Sequence, residues 1–270
     1  CFQRLSNNDE PLFTDQELIT IWFFAHLNGL SQKKQMHSFI KNYWSAWFPR
    51  FPAYQTFVYR LNLLEPSFQT FGKVLLKSLH PQRAVGIDRI ACSLPVMLAQ
   101  QGHSYSAKVA REIANAGFCA AKKTRFHGVR LHCIAARQTG RLLKPVHIWL
   151  REASSAHDSK AFANQTLALP EATLFGDLAY PTRQIIALLK EQNTKLIAPQ
   201  KKQKGKELSE TEKYYNRLVA KFRQPIESLF NWIIEKTNIQ RASKVRSTDA
   251  LLIHCWGKLA FAFFLLVFYY

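Results

Sequence analysis

Residues 221–236 have the sequence KFRQPIESLFNWIIEK, which predicts an amphipathic helix around which the rest of the chain can be organised. Pro225 suits the first turn of a helix, where its missing N–H would have no partner anyway. Apolar side chains recur at helical spacing and form one stripe, which comprises Ile226, Leu229, Phe230, Ile233 and Ile234. Glu227 lies at the edge of this stripe. A glutamate there is most often solvated on the outer face, so its interest depends on the segments upstream.

Residues 173–180, TLFGDLAY, form the second informative segment. Thr-Leu-Phe predicts a short buried strand that ends at Gly176, and Asp177 follows directly. A strand that ends before a helix, here predicted over residues 181–189, is where α/β folds place their chemistry. The simpler role for Asp177 is the N-cap of that helix.

Three further segments precede these two in order. They are CSLPV at residues 92–96, FHGVRLH at 126–132 and SSAHD at 154–158. Together with FGDLAY at 175–180 and RQPIESLFNW at 223–232, the set resembles the insertion-sequence DDE transposases of bacteria. The resemblance extends from about residue 13 to about residue 264. It implies an α/β fold with an RNase H-like mixed sheet flanked by helices, preceded by a small all-helical N-terminal domain.

The resemblance also implies three carboxylates that bind two Mg²⁺ ions for phosphoryl transfer on DNA. Asp177 and Glu227 match the second and third positions and would be metal ligands. The first position is Cys92, whose soft and mostly protonated thiol is a poor ligand for Mg²⁺. Asp88 is the fallback, but four residues along a strand place it roughly 13 Å from Cys92. We therefore predict a transposase whose DNA cleavage and strand transfer are impaired at the first acidic position.

Two alternatives remain open. The first is that the chain is a catalytically inactive, DNA-binding transposase relic. The second is that it is a basic membrane-associated protein anchored by the apolar residues 251–270. The uninterrupted apolar run after Lys258 has twelve residues, whereas a membrane span needs about 20. We therefore expect a buried closing helix and no membrane partner.

The charge of the chain predicts a polyanionic partner, because 37 Lys and Arg residues against 18 Asp and Glu residues give a net charge of +19. By resemblance the partner is double-stranded DNA with the terminal inverted repeats of a transposon. The candidate DNA-binding residues are Arg60, Lys201, Lys202, Arg223, Lys236, Arg241 and Lys244. Lys201 and Lys202 belong to a polar stretch, 199–212, that either contacts phosphates or is merely a solvated loop. Arg223, four residues before Glu227, fits a family pattern, while Lys236 lies two residues beyond the lysine position of that pattern.

The chain divides by pattern into two domains. Residues 1–80 predict short helices, the first with a capping box of Thr14 and Glu17. They form either a helix-turn-helix that contacts DNA through residues such as Arg60, or a bundle that only supports the core. Residues 81–270 predict the catalytic domain, with a strand over 85–96, a helix over 104–115, strands over 125–136 and 142–150, and a helix over 159–166. Asp158 is most simply the N-cap of the last of these.

The remaining residues bear on compartment and assembly. Five cysteines without CxxC spacing predict a reducing compartment, and the resemblance implies the bacterial cytoplasm, association with the nucleoid and a homodimer. His127 and His132 point to opposite faces of a predicted strand, so we expect no metal site there. The start at Cys1 and the apolar end lead us to expect truncated termini.

Overall fold

The structure is a computed structural model that describes residues 12–79, 88–120, 122–138, 140–153, 162, 168–203 and 205–270. The chain forms two compact units. The helical unit comprises Cys1–Lys77, Ile233–Ile239 and Val245–Tyr270, and the sheet unit comprises Ser78–Trp232 and Gln240–Lys244. We predicted a single boundary near residue 80. The structure divides the chain there as well, but it groups the C-terminal helix with the N-terminal helices because its apolar side chains join their core.

The helical unit begins with four helices. They are α1 (Asp15–Leu27), α2 (Lys33–Tyr43), α3 (Tyr54–Asn62) and α4 (Glu65–Ser78), with a 3₁₀ turn at Ser45–Trp47. The predicted capping box is confirmed, because the Thr14 hydroxyl accepts a hydrogen bond from the Glu17 N–H at 3.1 Å and the Glu17 carboxylate accepts one from the Thr14 N–H at 2.6 Å. Helix α1 ends before Gly29, whose φ of +74° allows the chain to turn.

Helix α8, the C-terminal helix of the chain, spans Thr248–Phe268. The helix has 21 residues, and an 18-residue window within it has a mean hydropathy of 2.0, so by length and composition alone it could cross a membrane, although 67% of that window is buried within the protein. Core helices of globular proteins have the same composition. Within the unit, the indole N–H of Trp22 donates to the Gly257 carbonyl at 2.9 Å. The expected buried closing helix is therefore present.

Within the described ranges, six strands form a mixed sheet. They are β1 (Asp88–Gln100), β2 (Asn115–Cys119), β3 (Thr124–Ala136), β4 (Lys144–Glu152), β5 (Thr173–Phe175) and β6 (Lys195–Ile197). Strand β3 pairs antiparallel with β1 along one edge and with β2 and then β4 along the other. Strands β5 and β6 continue the sheet on the other side of β1, in parallel. This is the RNase H-like mixed sheet that the resemblance implied.

Strand β3 is buried along nearly its whole length because neighbouring strands cover both of its edges. At Gly128 a Cβ atom would lie 2.0 Å from the Val96 carbonyl oxygen, so only glycine fits where β1 and β3 approach each other. The predicted strand over 125–136 matches β3, and the strand predicted over 142–150 matches β4. The predicted strand over 85–96 starts outside the described residues and continues to Gln100 as β1.

The helix predicted over 104–115 is wrong. The structure has only a single turn, α5 (His103–Ser106), and the chain then turns through Ala110, whose φ is +54°, to enter β2. The physical reason is that Asn115–Cys119 pairs with the first part of β3, and this pairing overrides the local preference. Asp158 and the helix predicted over 159–166 lie outside the described residues, except for Phe162.

Two further helices follow strand β5 along the chain. Helix α6 (Arg183–Glu191) follows β5, and helix α7 (Glu210–Thr237) is 28 residues long. The prediction started α7 at residue 221 and placed Pro225 in its first turn, which is wrong, because Pro225 lies inside the helix. The true start has its own capping box, in which the Glu212 N–H donates to the Ser209 hydroxyl at 3.2 Å and the Ser209 N–H to the Glu212 carboxylate at 2.7 Å.

Candidate catalytic and nucleic-acid-binding site

Cys92 lies on β1, and Asp177 follows the end of the neighbouring parallel strand β5. The β1–β5 pairing joins Asp88 to Thr173, and it ends with Ile90 opposite Phe175. Two residues further along each chain are Cys92 and Asp177. Both side chains are half-buried. Both candidate positions therefore lie two residues beyond the last β1–β5 pair, at the same end of that pairing.

The two faces of the sheet have different neighbours. Ala91 and Leu174 belong to the core that contains Ile185 and Leu189 of α6. Side chains alternate along a strand, so Ile90, Cys92 and Phe175 face the other way. There the Phe175 ring stacks on Phe222 of α7 with centroids 5.2 Å apart. Cys92 therefore lies on the face that α7 covers.

Measured along the direction of β1, Glu227 on α7 lies about as far from the Phe175–Phe222 contact as Cys92 does on its strand. Phe222 marks the level of Phe175 and Ile90, and after α7 the Gln240 carbonyl accepts a hydrogen bond from the Met97 N–H at 2.9 Å. The helix thus runs in the same direction as β1. From Phe222 to Glu227 it rises about 7.5 Å, and from Ile90 to Cys92 the strand rises about 6.6 Å. The Glu227 side chain is exposed.

Asp177 does not cap helix α6. The N-cap is Thr182, whose hydroxyl accepts a hydrogen bond from the Ile185 N–H at 3.3 Å. Asp177 instead belongs to a tight turn, in which its carbonyl accepts from the Tyr180 N–H at 3.0 Å. At Gly176 a Cβ atom would lie 2.8 Å from the Tyr180 side chain, so the turn closes against that ring. The simpler role that the sequence allowed for Asp177 is excluded.

Asp88 lies at the far end of β1 from these residues. It pairs with Thr173, four residues before the level of Asp177, which corresponds to roughly 13 Å along the strand. Its carbonyl accepts a hydrogen bond from the Arg137 N–H at 3.0 Å. The strand is regular at this point, without the bulge that would bring Asp88 into the place of Cys92.

The donor atoms do not fit a pair of Mg²⁺ ions. No three His, Cys, Asp or Glu side chains come close enough to hold a metal ion in the part of the chain that the structure describes. Mg²⁺ prefers oxygen ligands, and the thiol of Cys92 stands where the register would put the first oxygen. Cys133, directly opposite on β3, adds a second sulfur atom, and burial raises the pKa of its thiol.

The other histidine and cation candidates are distributed over both units. His127 bonds to the Val109 carbonyl at 2.8 Å, and His132 stacks on Trp149 at 5.3 Å, with burial lowering its pKa to about 3. Neither geometry suggests a metal site. Lys201, Lys202, Arg241 and Lys244 are exposed, with Lys202 3.4 Å from Glu207. Lys236 pairs with Glu235 at 2.9 Å, and Arg223, half-buried, lies one turn before Glu227.

Arg60 makes its contacts within the helical unit, whereas the sequence analysis placed it among the candidate DNA-binding residues. Its guanidinium donates to the fully buried carboxylate of Asp15 at 2.9 Å and also to the Phe13 carbonyl. It lies over the Phe13 ring, 5.7 Å from the centroid. These contacts hold the guanidinium within the fold.

Replacing Arg60 with glutamine should therefore destabilise the helical unit and leave DNA affinity nearly unchanged. Asp15 would lose its partner while staying buried, which costs about 1–2 kcal/mol. Thermal unfolding and DNA binding at a temperature below the transition measure the two effects separately. A normal melting temperature with much weaker DNA binding would show that Arg60 contacts DNA, as the sequence analysis predicted.

Comparison with known families connects this geometry to a function. The family model of the transposase DDE domain matches residues 98–264, which is more than half of the chain and includes Asp177 and Glu227 but not Cys92. No curated protein and no solved structure matches the chain. The matched segment contains β2, β3 and β4, the turn after β5 and all of α7. The chain therefore belongs to the transposase DDE-domain family, as the resemblance to insertion-sequence transposases predicted.

Proposed function

We propose that this protein is an insertion-sequence transposase that binds the ends of its element but cleaves and transfers DNA strands poorly. The observation that supports the proposal is the register of β1 and β5, because Cys92 and Asp177 each follow its last pair by two residues. In a DDE site, the carboxylates on these two strands and on the following helix act together. Here Asp177 and Glu227 supply two of them and Cys92 supplies a thiol.

The loss of the first carboxylate should affect chemistry far more than binding. Phosphoryl transfer depends on neutralising charge that develops on the phosphate oxygens, and a neutral thiol contributes nothing to the binding of a hard cation. Mg²⁺ would supply that neutralisation when bound. DNA binding depends on lysine and arginine side chains instead, and the net charge of +19 is unaffected by Cys92.

The partners follow from the same proposal. The substrate is double-stranded DNA that carries the terminal inverted repeats of the element, and the protein acts as a homodimer on paired ends in the bacterial cytoplasm, near the nucleoid. The exposed cations Lys201, Lys202, Arg241 and Lys244, together with Lys236 and Arg223, are the proposed DNA contacts. Asp177 and Glu227 are the proposed metal ligands.

The alternative is a DNA-binding relic with no residual cleavage. It is favoured by the exposed Glu227 side chain and by the lack of a group of three potential metal ligands among the residues that the structure describes. The two possibilities differ only in whether a slow reaction remains.

Binding and cleavage should be measured together on a duplex with the terminal repeats that flank the gene. We expect affinity that falls steeply with NaCl concentration, and cleavage that is slow or undetectable with added Mg²⁺. The matched control is the Asp177→Asn variant, which should bind equally well and lack any residual cleavage. Rapid Mg²⁺-dependent cleavage by the unaltered chain would contradict an impaired site, and weak binding that ignores salt would contradict a role in DNA transactions.

A further inference from the structure

The carboxyl end of β1 has a concentration of positive charge that the carboxylate site does not use. Between Arg89 and Arg151 the sequence has one acidic residue, Glu112. Four exposed cations come from segments that meet at this end of the sheet, namely Lys122, Lys123, Arg125 and Arg241. We call these four residues the β1-end basic surface.

Backbone hydrogen bonds bring the segments of this surface together. The Gln101 N–H, just after β1, donates to the Arg125 carbonyl at 2.9 Å. The Met97 N–H donates to the Gln240 carbonyl, and the Ala242 N–H donates to the Met97 carbonyl, each at 2.9 Å. Arg241 thus occupies a short parallel extension of the sheet beside Met97. Its backbone position is fixed relative to the start of β3.

Side chains add two further connections. The Lys122 ammonium donates to the side-chain oxygen of Gln240, which links the turn before β3 to the segment of Arg241. The Arg125 guanidinium lies over the ring of Tyr105, 5.9 Å from its centroid, and Tyr105 is 68% exposed. A cation–π contact of this kind keeps the guanidinium extended at the surface. The charges therefore have defined positions on a rigid sheet end.

We propose that the β1-end basic surface binds the phosphate backbone of duplex DNA, as a contact separate from the carboxylate site. This inference rests on the proposed DNA-binding function and assigns it residues that the sequence patterns did not single out, apart from Arg241. Met97 lies five residues beyond Cys92, roughly 16 Å along the strand. A duplex held here is gripped away from the reacting phosphate. Contacts of this kind set the register of the protein on DNA without reading its sequence.

Duplex DNA fits this surface better than a small anion does. The four cations come from two separate segments. The sequence from 113 to 151, which includes β2 and β3, has no acidic residue. A duplex presents a row of phosphates to such a spread of charges, whereas a single phosphate could contact only one or two of them. Binding by several phosphate contacts releases counterions, and this gives a measurable dependence on salt.

The test compares two triple variants that remove the same charge. The first is Lys123→Gln/Arg125→Gln/Arg241→Gln, which leaves the Lys122–Gln240 hydrogen bond intact. The control is Arg183→Gln/Lys190→Gln/Lys195→Gln, whose exposed cations lie on α6 and β6. Affinity for a short random-sequence duplex is measured over a range of NaCl concentrations, and melting temperatures show that both variants fold.

We expect the first variant to bind at least about tenfold more weakly than the parent chain, with the slope of log K against log salt smaller by about 2–3, at about 0.9 for each lost contact. The control should change affinity less than about threefold by the same reasoning. Equal losses in both variants would overturn this inference and leave the proposed function standing, because binding would then follow overall charge. A parent chain without affinity for DNA would overturn both. If the triple variant melts early, Lys123→Gln/Arg241→Gln decides by the same comparison.

Discussion

The Cys92→Asp variant is expected to cleave DNA with added Mg²⁺ about 100-fold faster or more than the unaltered chain. Residues 92 and 177 each lie two residues beyond the last β1–β5 pair, so we expect an aspartate at position 92 to supply the oxygen ligand that the thiol cannot. Charge stabilisation at such a site is worth several kcal/mol, and each 1.36 kcal/mol changes a rate by about tenfold. The measurement is the rate of strand cleavage on a duplex that carries the terminal repeats, with and without Mg²⁺.

Two controls separate a restored ligand from an indirect effect. Cys92→Ser removes the sulfur atom without adding a carboxylate, and it should not restore cleavage. Cys92→Asp/Asp177→Asn should lose the gain, because the two residues act as neighbours. Affinity for the duplex should stay the same in all three variants, because it depends on cations elsewhere. If the unaltered chain already cleaves as fast as Cys92→Asp, and Asp88→Asn abolishes that activity, then Asp88 is the first ligand and our placement is wrong.

The sequence predicted those elements whose signals are local. Thr14 and Glu17 gave the start of α1, and the alternating and buried residues of β3 and β4 gave two strands nearly to the residue. The turn at Asp177 was also visible, because Gly176 ends a short apolar strand. What the sequence left open was whether Asp177 caps a helix, and only the hydrogen bond of Thr182 decided it.

The errors share a physical cause, which is that tertiary contacts overrode local preference. The helix predicted over 104–115 stops after one turn because the chain turns through Ala110 to pair β2 with the first part of β3. Helix α7 begins earlier than predicted, although the capping box of Ser209 and Glu212 is readable in the sequence. The prediction started the helix at residue 221 instead, because Pro225 suits a first turn. Arg60 was predicted to contact DNA as part of a possible helix-turn-helix, and its ion pair with Asp15 has no sequence signal.

The position of Cys92 relative to Asp177 could not be derived from the spacing of the two residues in the sequence either. A strand register is fixed by pairing between segments that lie about 85 residues apart, so only the three-dimensional structure shows that Cys92 and Asp177 follow the last β1–β5 pair by the same number of residues. The family resemblance suggested the same neighbours by analogy with transposases.

The Lys258→Met variant is expected to be more stable than the parent chain at pH 7, by on the order of 3 kcal/mol at about 1.4 kcal/mol per pKa unit. Lys258 is 2% exposed in the helical unit, and its ammonium donates to the Asn238 carbonyl at 3.2 Å. Burial lowers its pKa from 10.5 to about 7, with the nearby Lys33 adding repulsion. His254, one turn earlier on α8, is buried as well, and burial lowers its pKa. Methionine keeps a similar shape and removes the buried charge.

The sign of the pH dependence makes this prediction specific. Between pH 10.5 and about 7 the unfolded chain holds a proton on Lys258 and the folded chain does not, so the free energy of unfolding decreases as pH falls through this window. In Lys258→Met that part of the slope should disappear, and the two proteins should converge in stability near pH 10.5. Denaturant unfolding of both proteins at neutral and alkaline pH measures the difference, with Lys221→Met at an exposed position as the control that should change neither value. A variant that is less stable at pH 7, with the alkaline slope unchanged, would show that Lys258 stays charged in the fold and is stabilised there by its hydrogen bond.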